Sequence, residues 1–187
     1  RIRDGIRGGG PFDSASALRI NQGFASGRYL DPNELASATD ADKRAAIADI
    51  YNSVGKDYLA HAATSTEDPQ TRKVYESAAA LTSILADVPV HVIPCIERRL
   101  EGVPLVASAS AWASIIPAAW SFLLALRSRG LGSVWTTLHL AKADEVAELL
   151  GIPDTVTQVA LFPVAYTSGT DFKPAVRPPV DTITSWN

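Results

Sequence analysis

Few residues in this 187-residue sequence have the types and spacings that do chemistry unaided. No Gly-x-Ser-x-Gly turn signals a hydrolase nucleophile. The single cysteine, Cys95, stands in the apolar run Val90-His91-Val92-Ile93-Pro94-Cys95-Ile96. It reads as a buried structural thiol, because a reactive one needs an accessible, electropositive setting. The three histidines, His61, His91 and His139, are far apart and form no His-x-x-x-His pair, so no metal site is expected. His91 and His139 fall in strand-like runs and should face the core or a pocket. Gly8-Gly9-Gly10-Pro11 lacks the preceding strand and following Lys-Ser/Thr of a phosphate loop. Gly130-Leu131-Gly132 follows a helix and precedes a strand, the reverse of a dinucleotide fingerprint. On physical grounds it is a helix stop and a close backbone approach. With no acid–base pair, ligand set or nucleophile, two classes remain. Either a bound cofactor supplies the chemistry, or the protein only binds.

The elements that must position any such site follow from composition and period. The chain is 47% hydrophobic and 20% charged, with a formal net charge of −3. That is a globular composition of single-domain length, without the basic field of a nucleic-acid binder. One cysteine permits no internal disulfide, which fits a reducing cytoplasm, and no signal peptide opens the chain. No methionine occurs, so the sequence is expected to be part of a longer or processed product. Val103–Leu126 is an uncharged run of 24 residues, long enough to span a bilayer. Its many Ala, its Ser108, Ser110, Ser114 and Ser121, and its two Pro favour a helix buried in a core or subunit interface over a membrane span.

Arg1–Thr39 has no sustained period and reads as loop with short helical pieces. A helix capped by Thr39 or Asp40 runs through Ala46, Ile47, Ile50, Tyr51, Val54 and Tyr58. Ala60–Asp68 reads as loop. Asp68-Pro69 opens a second helix to about Asp87. Val88–Ile96 is a strand apolar on both faces and so covered on both sides. The long helix spans roughly Ala107–Arg129, with Trp120 and Phe122 packed deep within it. Ser133–Leu138 is a second strand, Lys142–Leu150 a short helix, and Thr157–Tyr166 a third buried strand. The Pro-rich tail from Thr167 is too apolar to hang free.

Four features in order resemble the C-terminal half of the FMN-dependent nitroreductase family. They are the helix Ser114–Leu126, the junction Arg129-Gly130-Leu131-Gly132-Ser133-Val134-Trp135-Thr136-Thr137, the segment Val146–Pro153, and Leu161-Phe162-Pro163-Val164-Ala165-Tyr166 followed by Arg177-Pro178-Pro179. Asp87–Cys95 resembles the family's first buried strand after its helical region. The resemblance covers about residues 40–187. The family's N-terminal flavin motifs are not intact: Arg1, Arg3 and Arg7 are wrongly spaced, and Asn21-Gln22-Gly23-Phe24 is a weak echo of the second motif.

The resemblance implies an α+β fold: a central, mostly antiparallel sheet flanked by helices, in an intertwined homodimer with FMN at the interface. It implies one domain over residues 1–187, with 1–39 atypical and 167–187 packing on the partner. Arg177 would reach the FMN phosphate, for which a guanidinium is well shaped, with Lys173 second to it. Gly132, Trp135, Thr136 and Thr137 would lie along one flavin face. Trp112 would line the substrate side. The activity implied is ping-pong electron transfer from NAD(P)H through FMN to nitroaromatic, quinone or related electron-poor acceptors, with no catalytic side chain named. The alternative is a flavin-binding or sequestering protein of the same fold without catalysis. Partners expected are a second copy and small molecules, with neither nucleic acid nor membrane.

Overall fold

The computed structural model describes residues 35–169, 171, 173–174 and 176–186. The Gly8–Pro11 run, the N-terminal arginines and Asn21–Phe24 lie outside the described residues. Five strands and four helices are described: β1 (Leu35–Ala38), α1 (Ala41–Ser65), α2 (Pro69–Ile84), β2 (Val90–Ile96), α3 (Leu105–Arg127), β3 (Leu131–Ser133), α4 (Ala143–Leu150), β4 (Thr157–Gln158) and β5 (Phe162–Tyr166). The sheet order is β1-β2-β5-β3, all pairs antiparallel, with β4 added on β2.

Local chemistry explains where the elements begin and end. The Asp40 carboxylate accepts from the Lys43 amide at 3.0 Å and caps α1. Asp68 does the same for Thr71 at 2.7 Å, with Pro69 in the first turn of α2 where its missing N–H costs nothing. Gly151 ends α4 in the left-handed region at φ 70°, and Gly130 turns the chain after α3 at φ 74°.

The burial pattern along β2 sorts the layers. Val90 and Val92 join Ala119, Phe122, Ala125 and Leu126 of α3, together with Phe162 and Val164. Ile93 and Cys95 face the other way, onto Ile47, Ala48, Tyr51 and Leu59 of α1 and Val146 of α4. The sheet is thus sandwiched between α3 on one face and α1, α2 and α4 on the other. A strand buried on both faces was the sequence expectation for this run, and a buried Cys95 with it.

Several boundaries differ from the sequence expectation. β1 forms within residues read as loop, and its four residues are too few to carry a readable period. The segment read as loop from Ala60 is helical to Ser65, because Leu59 and Ala62 still pack inward and Thr66 closes the last turn through its amide to Ala62 O. The strand expected at Ser133–Leu138 is displaced. β3 begins at Leu131, and Leu138–Lys142 is a 3-10 turn. The expected long strand Thr157–Tyr166 is split into β4 and β5. Trp120, expected to pack, is exposed in the single chain, as are Ile116 and Leu124 on the same side of α3. Phe122 is buried, 6.2 Å from Phe162 between ring centres. By length and composition α3 is also long and apolar enough to cross a membrane, and a third of its apolar window is buried in the fold.

Candidate functional site at the sheet edge

Among the described residues β3 is an edge strand, and its pairing with β5 continues past Ser133. Leu131, Gly132 and Ser133 face Tyr166, Ala165 and Val164, and Thr136 bridges Leu161 in the same register. Val134 therefore stands opposite Pro163, which has no N–H to give, so the ladder is interrupted there without losing register. Trp135 stands opposite Phe162, and their rings meet edge to face at 5.1 Å.

Thr136 spends all its polar groups inside the protein. Its amide donates to Leu161 O at 3.2 Å, and its carbonyl accepts from the Leu161 amide at 2.8 Å. Its Oγ1 shares a hydrogen bond with Tyr51 Oη at 2.9 Å. Tyr51 is fully buried on α1, and that burial raises its phenol pKa, against an opposing contribution from the Thr136 bond. Within the chain Thr136 is thus an internal anchor.

Its neighbours are the residues with something to offer. In an antiparallel pair, a residue that exchanges both bonds with its partner is flanked by residues whose N–H groups point away. With Thr136 turned toward Leu161, the amides of Trp135 and Thr137 point off the sheet edge. Neither has a hydrogen-bond acceptor among the described residues. The Thr137 carbonyl accepts from the Leu140 amide at 3.0 Å and starts the 3-10 turn.

Gly132 serves a close approach, but of the chain's own Thr167. A Cβ at Gly132 would meet Thr167 Cγ2, and the positive φ of the helix stop belongs to Gly130. Trp112 is half-buried on α3. It lines a groove of about 1020 Å³ with Arg99, Lys142, Glu145 and Gln158. Gln158 is a buried residue that sequence reading did not single out. Its Nε2 donates to Ala143 O at 2.7 Å, and its Oε1 has no partner among the described residues. Arg177 is exposed, and its guanidinium reaches the adjacent Val176 carbonyl at 3.4 Å. That carbonyl also accepts from Gln70 Nε2 of α2 at 3.2 Å, which seats this part of the tail against the first turn of α2. Lys173 is likewise exposed.

The structure thus brings Gly132, Trp135, Thr136 and Thr137 onto one edge. It does not bring Trp112 or Arg177 to them by any described hydrogen bond or ion pair within one chain. Two residues outside the expected site are prominent. Tyr51 registered only as a helix-periodic core position, and nothing in sequence links it to a threonine 85 residues away. His139 is completely buried in the 3-10 turn, and neither ring nitrogen has a partner among the described residues. Burial lowers its pKa to about 4.

The comparisons give the family. The nitroreductase family profile matches residues 27–166, and the chain belongs to that family of oxidoreductases. Three solved structures share the fold. Oxidised iodotyrosine deiodinase bound to FMN and 3-iodo-L-tyrosine is 20% identical, with 89% of this chain and 82% of that one covered at a TM-score of 0.59. A BluB-like flavoprotein from Clostridium difficile 630 is 16% identical, with 97% and 91% covered at 0.60. Nitroreductase A from Vibrio parahaemolyticus is 18% identical, with 95% and 68% covered at 0.60. Over 50 residues the chain is also 58% identical to a pullulanase of Klebsiella pneumoniae. That match takes in 27% of this chain and spans only 4% of that relative's length.

Proposed function

We propose that this chain is an FMN-dependent oxidoreductase that uses the sheet edge at Trp135–Thr137 to hold the flavin. The observation that carries the reading is the pair of outward amides at Trp135 and Thr137, in the segment that by family resemblance runs along one flavin face. Two such donors on a rigid strand suit the ring oxygens and nitrogens of an isoalloxazine, with no desolvated acceptor left behind. When bound, FMN supplies the hydride chemistry that no side-chain array here offers: ping-pong transfer from NAD(P)H to a nitroaromatic, quinone or related electron-poor acceptor.

The protein's own part is binding and positioning. Arg177 is the proposed phosphate ligand. Its guanidinium has no carboxylate partner among the described residues, so it is available to an anion, and Lys173 can add charge nearby. The tail that carries it meets α2 of its own chain through Gln70, and beyond that contact it is proposed to pack on the partner subunit of a homodimer. The exposed apolar side of α3, with Ile116, Trp120 and Leu124, supports a dimer interface. Trp112 is proposed to line the substrate side of a flavin, from a groove it shares with Leu140 and Lys142 just beyond Thr137. The absence of any possible internal disulfide supports a cytoplasmic setting.

The test is the visible absorbance of protein incubated with FMN and freed of excess, followed by NAD(P)H oxidation with a quinone acceptor. A flavin spectrum with turnover is expected. A flavin spectrum without turnover would leave the non-catalytic binder. A colourless protein would remove the reading.

A further inference from the structure

Resting on the flavin reading above, we infer that Tyr51 is a positioning residue for the flavin-holding edge and acts through Thr136. Residues 134–137 lie at the edge of the sheet, where Pro163 removes one ladder bond and the strand beyond Ser133 is held by a single bridge at Thr136. A segment held by one two-bond bridge can twist about it. The Tyr51 hydroxyl supplies the missing restraint. It grips Thr136 Oγ1 at 2.9 Å from α1, on the face of the sheet opposite Trp135, whose ring is clamped to Phe162 on the α3 face. The strand is therefore fixed from both faces and from its paired edge, and its free edge is left with the amides of Trp135 and Thr137.

The restraint is itself rigid. Tyr51 is 1% exposed and packs among Ile47, Ala48 and Leu161 of the α1-side core. Its phenol has one described partner, the Thr136 hydroxyl. A ligand held by two backbone donors is sensitive to the angle of both, because hydrogen bonds weaken steeply off line. The Tyr51 hydroxyl, which touches no ligand, thereby sets how well the edge fits one.

The experiment compares the parent, Tyr51→Phe, Thr136→Val and the double variant, each as apoprotein titrated with FMN. Both single changes delete one side of the same bond and nearly conserve volume. The expected result is an FMN Kd about 5- to 10-fold weaker in each single variant, and no further loss in the double, since the two act through one bond. The visible band of bound flavin should shift alike in the three variants, and kcat should fall at saturating substrate, neither of which a purely structural role would produce. If both single variants bind FMN with parental affinity and an unshifted band while losing only thermal stability, the Tyr51 bond is structural and the inference fails alone. If the effects of the two changes simply add, Tyr51 does not act through Thr136, and the inference also fails. If the parent takes up no FMN, the flavin reading fails and this inference with it. Should either variant not fold, the backbone amide exchange of the parent decides: Thr136 and Leu161 amides that exchange as fast as an unpaired edge would refute the clamp.

Discussion

Lowering the pH from 7 to 4 should destabilise this protein, and two buried imidazoles contribute much of the effect. His91 is 1% exposed and His139 is completely buried. His91 Nε2 lies 2.9 Å from Leu85 O, where it can only donate, and its Nδ1 has no partner among the described residues. Burial lowers both pKa values to about 4; for His91 the Leu85 carbonyl opposes this and the charge of Arg44 adds to it. The unfolded value is near 6.5. Above pH 6.5 neither state binds the proton, and these rings add no pH dependence. Between 6.5 and 4 the unfolded chain takes up protons that the folded one refuses, so stability falls as pH falls, and the loss is complete below 4. At ~1.4 kcal/mol per pH unit, a displacement of about 2.5 units is about 3 kcal/mol for each ring and about 7 for both. That is comparable to the whole stability of a typical domain, 5–15 kcal/mol. Urea unfolding of the apoprotein, followed by tryptophan fluorescence at pH steps from 7.5 to 4.5, measures it. His139→Leu should be neutral to stabilising at pH 7.5, because it removes an unpartnered buried ring, and should flatten the acid limb by roughly half. An acid limb of unchanged steepness in His139→Leu would refute the reasoning for that ring.

Other outcomes follow from the same contacts. Arg177→Ala should fold normally and weaken FMN binding by about 10- to 150-fold, the worth of a charge-assisted bond to phosphate, with Lys restoring part; calorimetric titration checks it. The parent should sediment as a homodimer at micromolar concentration, because burying ~1,000 Å² more of apolar surface around α3 contributes on the order of 25 kcal/mol before association costs. Trp120→Asp, on the exposed side of that helix, should shift the boundary to monomer. Gly132→Ala should lower stability by about 1–3 kcal/mol in urea unfolding, since its Cβ would press on Thr167 Cγ2 across the β3 edge.

What was legible in the sequence divides along physical lines. The Asp40 and Asp68 caps and the doubly buried β2 are local or periodic signals, and all are readable in the sequence. The strand expected from Ser133 begins two residues earlier, at Leu131, because Gly130-Leu131-Gly132 looks like a turn when the partner strand is unseen. Its true start is set by pairing with Tyr166, 35 residues on. β1 was missed because four residues carry no period. The edge at Trp135–Thr137 was legible only through family resemblance. Which of its amides are spent and which are free depends on the register with Leu161, and register is a tertiary fact. Thr136 shows the consequence: sequence could name it beside Thr137, but only the Tyr51 and Leu161 bonds separate the anchor from the donor. Trp120 shows the converse, since an apolar residue mid-helix reads as packed, yet α3 has more apolar circumference than one sheet face can cover.

The central claim is that this chain binds FMN, and titrating FMN into the apoprotein while following flavin fluorescence tests it most directly. Saturation is expected near one flavin per chain with a Kd of ~1 μM or tighter, about −8 kcal/mol, together with a visible spectrum that bleaches on anaerobic addition of NADH or NADPH. A fluorescence signal that stays that of unbound FMN up to ~100 μM would contradict it.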